Sequence, residues 1–134
     1  MLSASVEVRV RYQETDKMGI VYHANYFTWF ETARIELLDL MGCPYSSLEK
    51  DGFYLPVLRC RADFLSPAHF DDRLTVRVEI KDLPLVRIEA GYEVLREEEV
   101  LVTGGTTHAF VSAEGKVVRP PSDFVEKAKR FAGL

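Results

Sequence analysis

The segment from Asn25 to Met41 constrains this chain more than any other. Tyr26, Phe30, Ala33, Leu37 and Leu40 or Met41 recur at steps of three and four, the spacing of one helical stripe. Phe27, Trp29, Ile35 and Leu38 widen the apolar surface well beyond that stripe. Such a helix has to be covered on most of its sides. Asn25 fits an N-cap, and Gly42 followed by Pro44 fits a stop.

Strands are what the rest of the chain offers to cover it. In residues 6–12, Val6, Val8, Val10 and Tyr12 alternate with Glu7, Arg9 and Arg11, the period of a half-buried strand. Residues 73–81 and 86–95 alternate in the same way, while 53–65 and 100–112 read as more mixed strands. The turn Asp82-Leu83-Pro84, the acidic run Glu97–Glu99 and the turn Ala113–Lys116 separate them. Gly104-Gly105, inside a strand, predicts a bulge or a close backbone approach. Residues 122–131 predict a short terminal helix capped by Ser122. One long helix followed by hairpin-linked strands is an α+β pattern, with an antiparallel sheet wrapped around the helix. At 134 residues the whole chain, 1–134, reads as one domain.

Several classes fall away. No run of apolar residues is long enough to span a bilayer, and the first residues carry no basic segment followed by an apolar one, so a cytoplasmic protein is expected. A net charge of −4 does not favour nucleic acid. Cys43 and Cys60 lack metal-ligand spacing and read as small buried apolar side chains. His23, His69 and His108 are scattered, so no metal site is expected. Phosphate-binding glycine loops and a nucleophile elbow are missing.

Chemistry concentrates in Tyr12-Gln13-Glu14-Thr15-Asp16-Lys17-Met18-Gly19-Ile20-Val21-Tyr22-His23-Ala24-Asn25-Tyr26-Phe27. This segment carries an acid on a loop that runs straight into a helix start. The first turn of a helix has unpaired N–H groups and a partial positive charge, so it can hold an oxyanion of acyl transfer. Asp16 then fits a nucleophile or a general base. The same residues equally fit a plain turn, with Asp16 accepting local backbone N–H groups and His23 half-buried beside the helix.

The run Thr15-Asp16-x-x-Gly19-x-Val21-Tyr22-His23-x-x-Tyr26 resembles the signature of the 4-hydroxybenzoyl-CoA thioesterase family. The bacterial acyl-CoA thioesterases associated with the Tol–Pal system are the most similar branch. Asp63-Phe64-Leu65-Ser66-Pro67-Ala68, with Asp72-x-Leu74-x-Val76, also fits, and the similarity extends from about residue 6 to 118. The resemblance implies a hotdog fold, a five-stranded antiparallel sheet around one long helix. It implies acyl-CoA as substrate, hydrolysed to free acid and CoA with no cofactor and no metal. It further implies a homodimer or homotetramer with sites between subunits.

Carried over by position, Asp16 matches the catalytic carboxylate, and the His23 backbone N–H matches the donor to the thioester carbonyl. The His23 side chain matches the histidine-bearing subgroup. Gly19, Val21, Tyr22, Asn25 and Tyr26 fall within the substrate-binding segment. For the CoA phosphates, Arg59, Arg61, Arg87 and Arg119 are candidates; Arg87 lies at the turn that binds the nucleotide end in relatives, although Leu85 and Val86 stand there without the basic cluster of some relatives. Two alternatives keep the fold. One is an acyl-chain hydratase or dehydratase pairing Glu31 or Glu36 with His23, His69 or His108; the other is a non-catalytic acyl-CoA-binding module.

Overall fold

A computed structural model describes residues 1–83 and 86–133. Strand β1 (Leu2–Arg9) leads through a 3-10 turn (Tyr12–Glu14) and a loop to helix α1 (Asn25–Leu40). A short helix α2 (Tyr45–Lys50) follows, then strands β2 (Val57–Phe64), β3 (Arg73–Ile80), β4 (Arg87–Arg96) and β5 (Glu99–Ala109), and helix α3 (Ser122–Phe131). The strands form one sheet in the order β1-β3-β4-β5-β2, every pair antiparallel. This is the hotdog arrangement that the resemblance implies.

Period-two patterning decides which strand faces meet the helix. Leu74, Val76, Val78 and Ile80 of β3 are buried, and Arg73 before them and Arg77 among them are exposed. From α1 the stripe Tyr26, Trp29, Phe30, Ala33, Leu37, Leu38 turns inward onto them. Phe30 stacks on Tyr92 of β4, ring centroids 4.3 Å apart and planes 8° from parallel. Contact this close explains Gly104. A Cβ there would lie 2.5 Å from a Phe30 ring carbon and 2.8 Å from the Arg61 carbonyl oxygen. The glycine pair thus marks a close approach; the sheet's register shifts fall elsewhere, at Val57/Arg59 and Val94/Leu95. Glu97, at φ 56°, forms the tight tip between Arg96 and its partner Glu99.

Several expectations need correction. Ala24, not Asn25, caps α1, and no side chain bonds the cap; Asn25 is the first helical residue. Likewise Pro121 holds the cap position of α3, and Ser122 starts the helix. Proline fixes φ there but has no side-chain acceptor, and no side chain bonds that cap either. Tyr12 leaves the strand in the 3-10 turn and is exposed rather than inward-facing. Leu40 is exposed, and Met41 takes the inward position. Cys43 is buried, but Cys60 lies exposed on β2. Helix α2 carries too few apolar residues for a periodic signal. Of the turn before β4, Pro84 and Leu85 lie outside the described residues. Among the described residues no helix is long and apolar enough to cross a membrane.

Candidate active site

Glu14 organises the loop that enters α1. Its buried carboxylate accepts the Arg11 amide at 2.7 Å, the Trp29 indole N–H at 3.1 Å and the Arg11 guanidinium at 3.4 Å. Burial by itself would raise the Glu14 pKa, but these donors outweigh it and hold the carboxyl below the usual range. The Glu14 carbonyl accepts the Tyr22 amide at 2.9 Å and the Asn25 side-chain amide at 2.8 Å. Strand exit, loop and helix are therefore joined through one residue. Sequence reading passed over it; its only signal was an acid among turn residues three positions after Arg11.

Beyond Glu14 the chain forms a small hairpin. Thr15 pairs with Val21, and the Asp16 amide donates to the Ile20 carbonyl at 2.8 Å. The Gly19 amide returns to the Asp16 carbonyl at 2.9 Å, with Gly19 at φ 82°. Other residues resist that left-handed backbone, by roughly 1–2 kcal/mol. Asp16 is half-buried, and its Oδ1 accepts the Met18 amide at 2.8 Å. Its Oδ2 has no partner among the described residues. The local turn bond and a free carboxylate oxygen thus coexist. Val21 is a core residue: buried, with its amide on the Ala68 carbonyl at 2.9 Å.

At the helix start, the amides of Asn25, Tyr26 and Phe27 bond back to Tyr22, His23 and Ala24 at 3.0, 3.3 and 3.2 Å. Among the described residues, the amides of His23 and Ala24 have no acceptor. Two unpaired donors therefore stand at the positive end of a sixteen-residue helix. The His23 ring is exposed, 4.6 Å from Tyr22 and 6.3 Å edge-on from Phe64. Phe64 also meets the buried Tyr26 at 5.6 Å. The end of β2 thereby completes an aromatic rim around the helix start, and Phe64 joins the candidate site.

Other predicted residues lie elsewhere. Arg87 begins β4 opposite Ala109, whereas Phe64 is opposite Val102. At ~3.3 Å per residue that separates the two places by roughly 23 Å along β5. Arg87 is instead 3.3 Å from Glu89. Arg59 and Arg61 line a polar groove on the outer face of the sheet with Glu79, Glu89 and Glu93. His69 faces Asp72, at 3.9 Å. Among the described residues neither Glu31 nor Glu36 bonds a histidine, and no three metal-binding side chains converge.

His108 is buried, and its bonds define their own direction. Nδ1 lies 3.3 and 3.2 Å from the Leu55 and Pro56 carbonyl oxygens, which only accept, so Nδ1 carries the proton. Burial, reinforced by the Arg34 charge, lowers the pKa and keeps the ring neutral. Nε2 then accepts the Thr106 hydroxyl at 2.8 Å, Thr106 accepts the Tyr92 hydroxyl at 2.6 Å, and Tyr92 accepts an Arg34 N–H at 3.2 Å. The chain runs one way, from Arg34 to the backbone before β2.

Comparisons with known proteins place the chain by family and fold. Residues 10–128 match the family model described as the thioesterase-like superfamily. The chain is 34% identical over 102 residues to the acyl-CoA thioester hydrolase YbgC of Escherichia coli O157:H7, covering 71% of this chain and 76% of that protein. Among solved structures, a DHNA-CoA thioesterase from Staphylococcus aureus superposes with a TM-score of 0.92 at 29% identity, over 100% of this chain and 93% of the other. A hypothetical protein from Aquifex aeolicus gives 0.87 at 32%, over 92% and 98%.

Proposed function

The chain belongs to the thioesterase-like superfamily, and on that premise we propose that it is an acyl-CoA thioester hydrolase using Asp16 and the start of α1. Water and an acyl-CoA give the free carboxylic acid and the CoA thiol. The observation that carries this reading is that one short segment holds both the unpaired His23 and Ala24 amides at the helix start and, on the loop leading into it, an aspartate with an unengaged oxygen. As the thioester carbonyl becomes tetrahedral, its oxygen gains charge. Amides already oriented toward it stabilise that charge, by about 3–4 kcal/mol per donor. Asp16 either attacks the carbonyl carbon, expelling CoA thiolate to leave a mixed anhydride that water opens, or takes a proton from the attacking water. His23, exposed on the aromatic rim with Tyr22, Tyr26 and Phe64, lines the entry for substrate.

A thiol-trapping assay over a panel of acyl-CoAs tests the reading. Wild type should release thiol, and Asp16→Asn should bind the same acyl-CoA without releasing it. Unchanged turnover in Asp16→Asn removes the aspartate from the mechanism. Single-turnover hydrolysis in heavy-oxygen water separates the two routes, because only direct attack puts label into Asp16.

Assembly supports the site. Strand β2 is paired on one side only, and Val57, Leu58 and Phe64 along it are exposed. An unpaired edge with exposed apolar side chains, even one interleaved with Arg59, Arg61 and Asp63, can pair with another copy. A second copy related by two-fold symmetry supplies the partner edge, and pairs of dimers give a tetramer. Within one copy Arg87 lies far along β5 from Phe64 and the helix start, so a role for it in holding CoA phosphates there requires an oligomer.

A further inference from the structure

Far along α1 from its start lies a cavity of about 330 Å³, apolar except at a few points. Ile35, Leu38, Met41, Ile88 and Phe124 supply much of its wall. Arg34 lines it, ten residues past Ala24 and so roughly 15 Å down the helix axis. The volume is at the lower end of small-molecule pockets.

Of the polar and charged side chains in this wall, Glu31, Arg34, Tyr45 and His108, only His108 is fully spent. His108 gives Nδ1–H to two carbonyls and takes the Thr106 hydroxyl; Tyr92 and Thr106 are consumed within the same chain. The Tyr45 hydroxyl accepts the Leu55 amide at 3.1 Å and keeps one O–H to give. Arg34 heads the chain, and a guanidinium has five N–H groups, of which one goes to Tyr92. Among the described residues no carboxylate lies within 4.0 Å of Arg34. Glu31 also lines the cavity, but it is exposed at its rim. The unspent capacity is thus a half-buried cation and a hydroxyl donor set in an apolar wall. An apolar chain ending in an acceptor with negative charge complements both.

We propose that this cavity binds an alkyl or aryl chain terminating in a carboxylate, with Arg34 reading the carboxylate. The planar guanidinium suits two parallel bonds to such a group. Two ligands share that chemistry: the free acid released by hydrolysis, and an acyl-CoA whose acyl group carries a second carboxyl at its far end. The proposal stands apart from the role of Asp16, since binding can be measured without turnover.

Calorimetric titration of the full-length protein with octanoate and with octan-1-ol tests it. Octanoate should bind at least tenfold more tightly than the alcohol. Arg34→Gln should erase that preference, Arg34→Lys should keep part of it, and Glu31→Gln should widen it. Ile35→Trp, which fills the rim, should lose both ligands, and Asp16→Asn should bind octanoate like wild type. Comparing octanedioyl-CoA with octanoyl-CoA as substrates then distinguishes the sources. A diacid preference lost in Arg34→Gln assigns the carboxylate to the far end of a substrate. Octanoate binding with no such preference assigns it to the released acid. Equal binding of acid and alcohol to wild type, no binding of either, or an acid preference that survives in Arg34→Gln overturns the proposal. The wild-type comparison holds even where a variant fails to fold.

Discussion

Two polar constellations sit on the same helix and differ in how completely their bonds are made. Near the middle of α1, Arg34, Tyr92, Thr106 and His108 form a buried chain in which every acceptor is met and only Arg34 has donors to spare. At the helix start, one Asp16 oxygen and the amides of His23 and Ala24 have no partner among the described residues, and the His23 ring is exposed. The histidine with the shifted pKa is the buried one, and the histidine of the candidate site is the one in the open. The lowered pKa of His108 is a consequence of its burial in the fold, whereas the unmet hydrogen-bonding capacity lies at the helix start, in groups not committed to the fold.

The largest test of this contrast is Asp16→Asn. It should lower kcat by about 10²–10⁴-fold while leaving the thermal unfolding midpoint close to wild type, since an amide oxygen still accepts the Met18 N–H. A matching loss of stability would show that Asp16 belongs with the committed groups. Gly104→Ala should act in the opposite sense, on folding. Its methyl meets the Phe30 ring and the Arg61 carbonyl, so a loss of about 1–3 kcal/mol is expected in urea unfolding. Thr106→Val should cost about 1–3 kcal/mol by orphaning the Tyr92 hydroxyl and His108 Nε2; a neutral result would mean the buried chain is dispensable.

The smallest effects are in pH. His108 has a lowered folded pKa, so its contribution is complete above about pH 6.5 and is lost as pH falls from there toward the folded value. Glu14, also lowered, contributes fully above about pH 4.3 and loses that contribution as pH falls through its folded value. Denaturant midpoints measured from pH 8 to pH 3 should fall in these two windows. His108→Gln should flatten the upper one and Glu14→Gln the lower.

How much of this was readable beforehand varies with the range of the interaction. The long helix and β3 were legible because each repeats an apolar residue at its own period. Gly104-Gly105 was legible only as a bulge or a close approach, since a glycine inside a strand gives up side-chain packing for either, and the Phe30 ring decided for the second. The loop was legible as a turn through Asp16 and Gly19, and as a candidate place for chemistry through Asp16 and His23 only once the resemblance was added. Ala24 rather than Asn25 at the cap was not, since Asn25 turns to the Glu14 carbonyl, eleven residues away in sequence. Phe64, quoted in the segment Asp63–Ala68, was not legible as a neighbour of the helix start for the same reason: it reaches that place by lying at the end of β2, across the fold.

Composition and periodicity alone settled that a sheet must enclose an apolar helix, and that an acid sits on the loop feeding it. Those features follow from spacing along the chain, where burial and backbone geometry repeat. The tertiary structure decided which polar groups are saturated and which are left over. That depends on partners brought together from Arg34, Leu55, Tyr92 and His108. No local pattern carries it, because a hydrogen bond is satisfied by distance and direction in space.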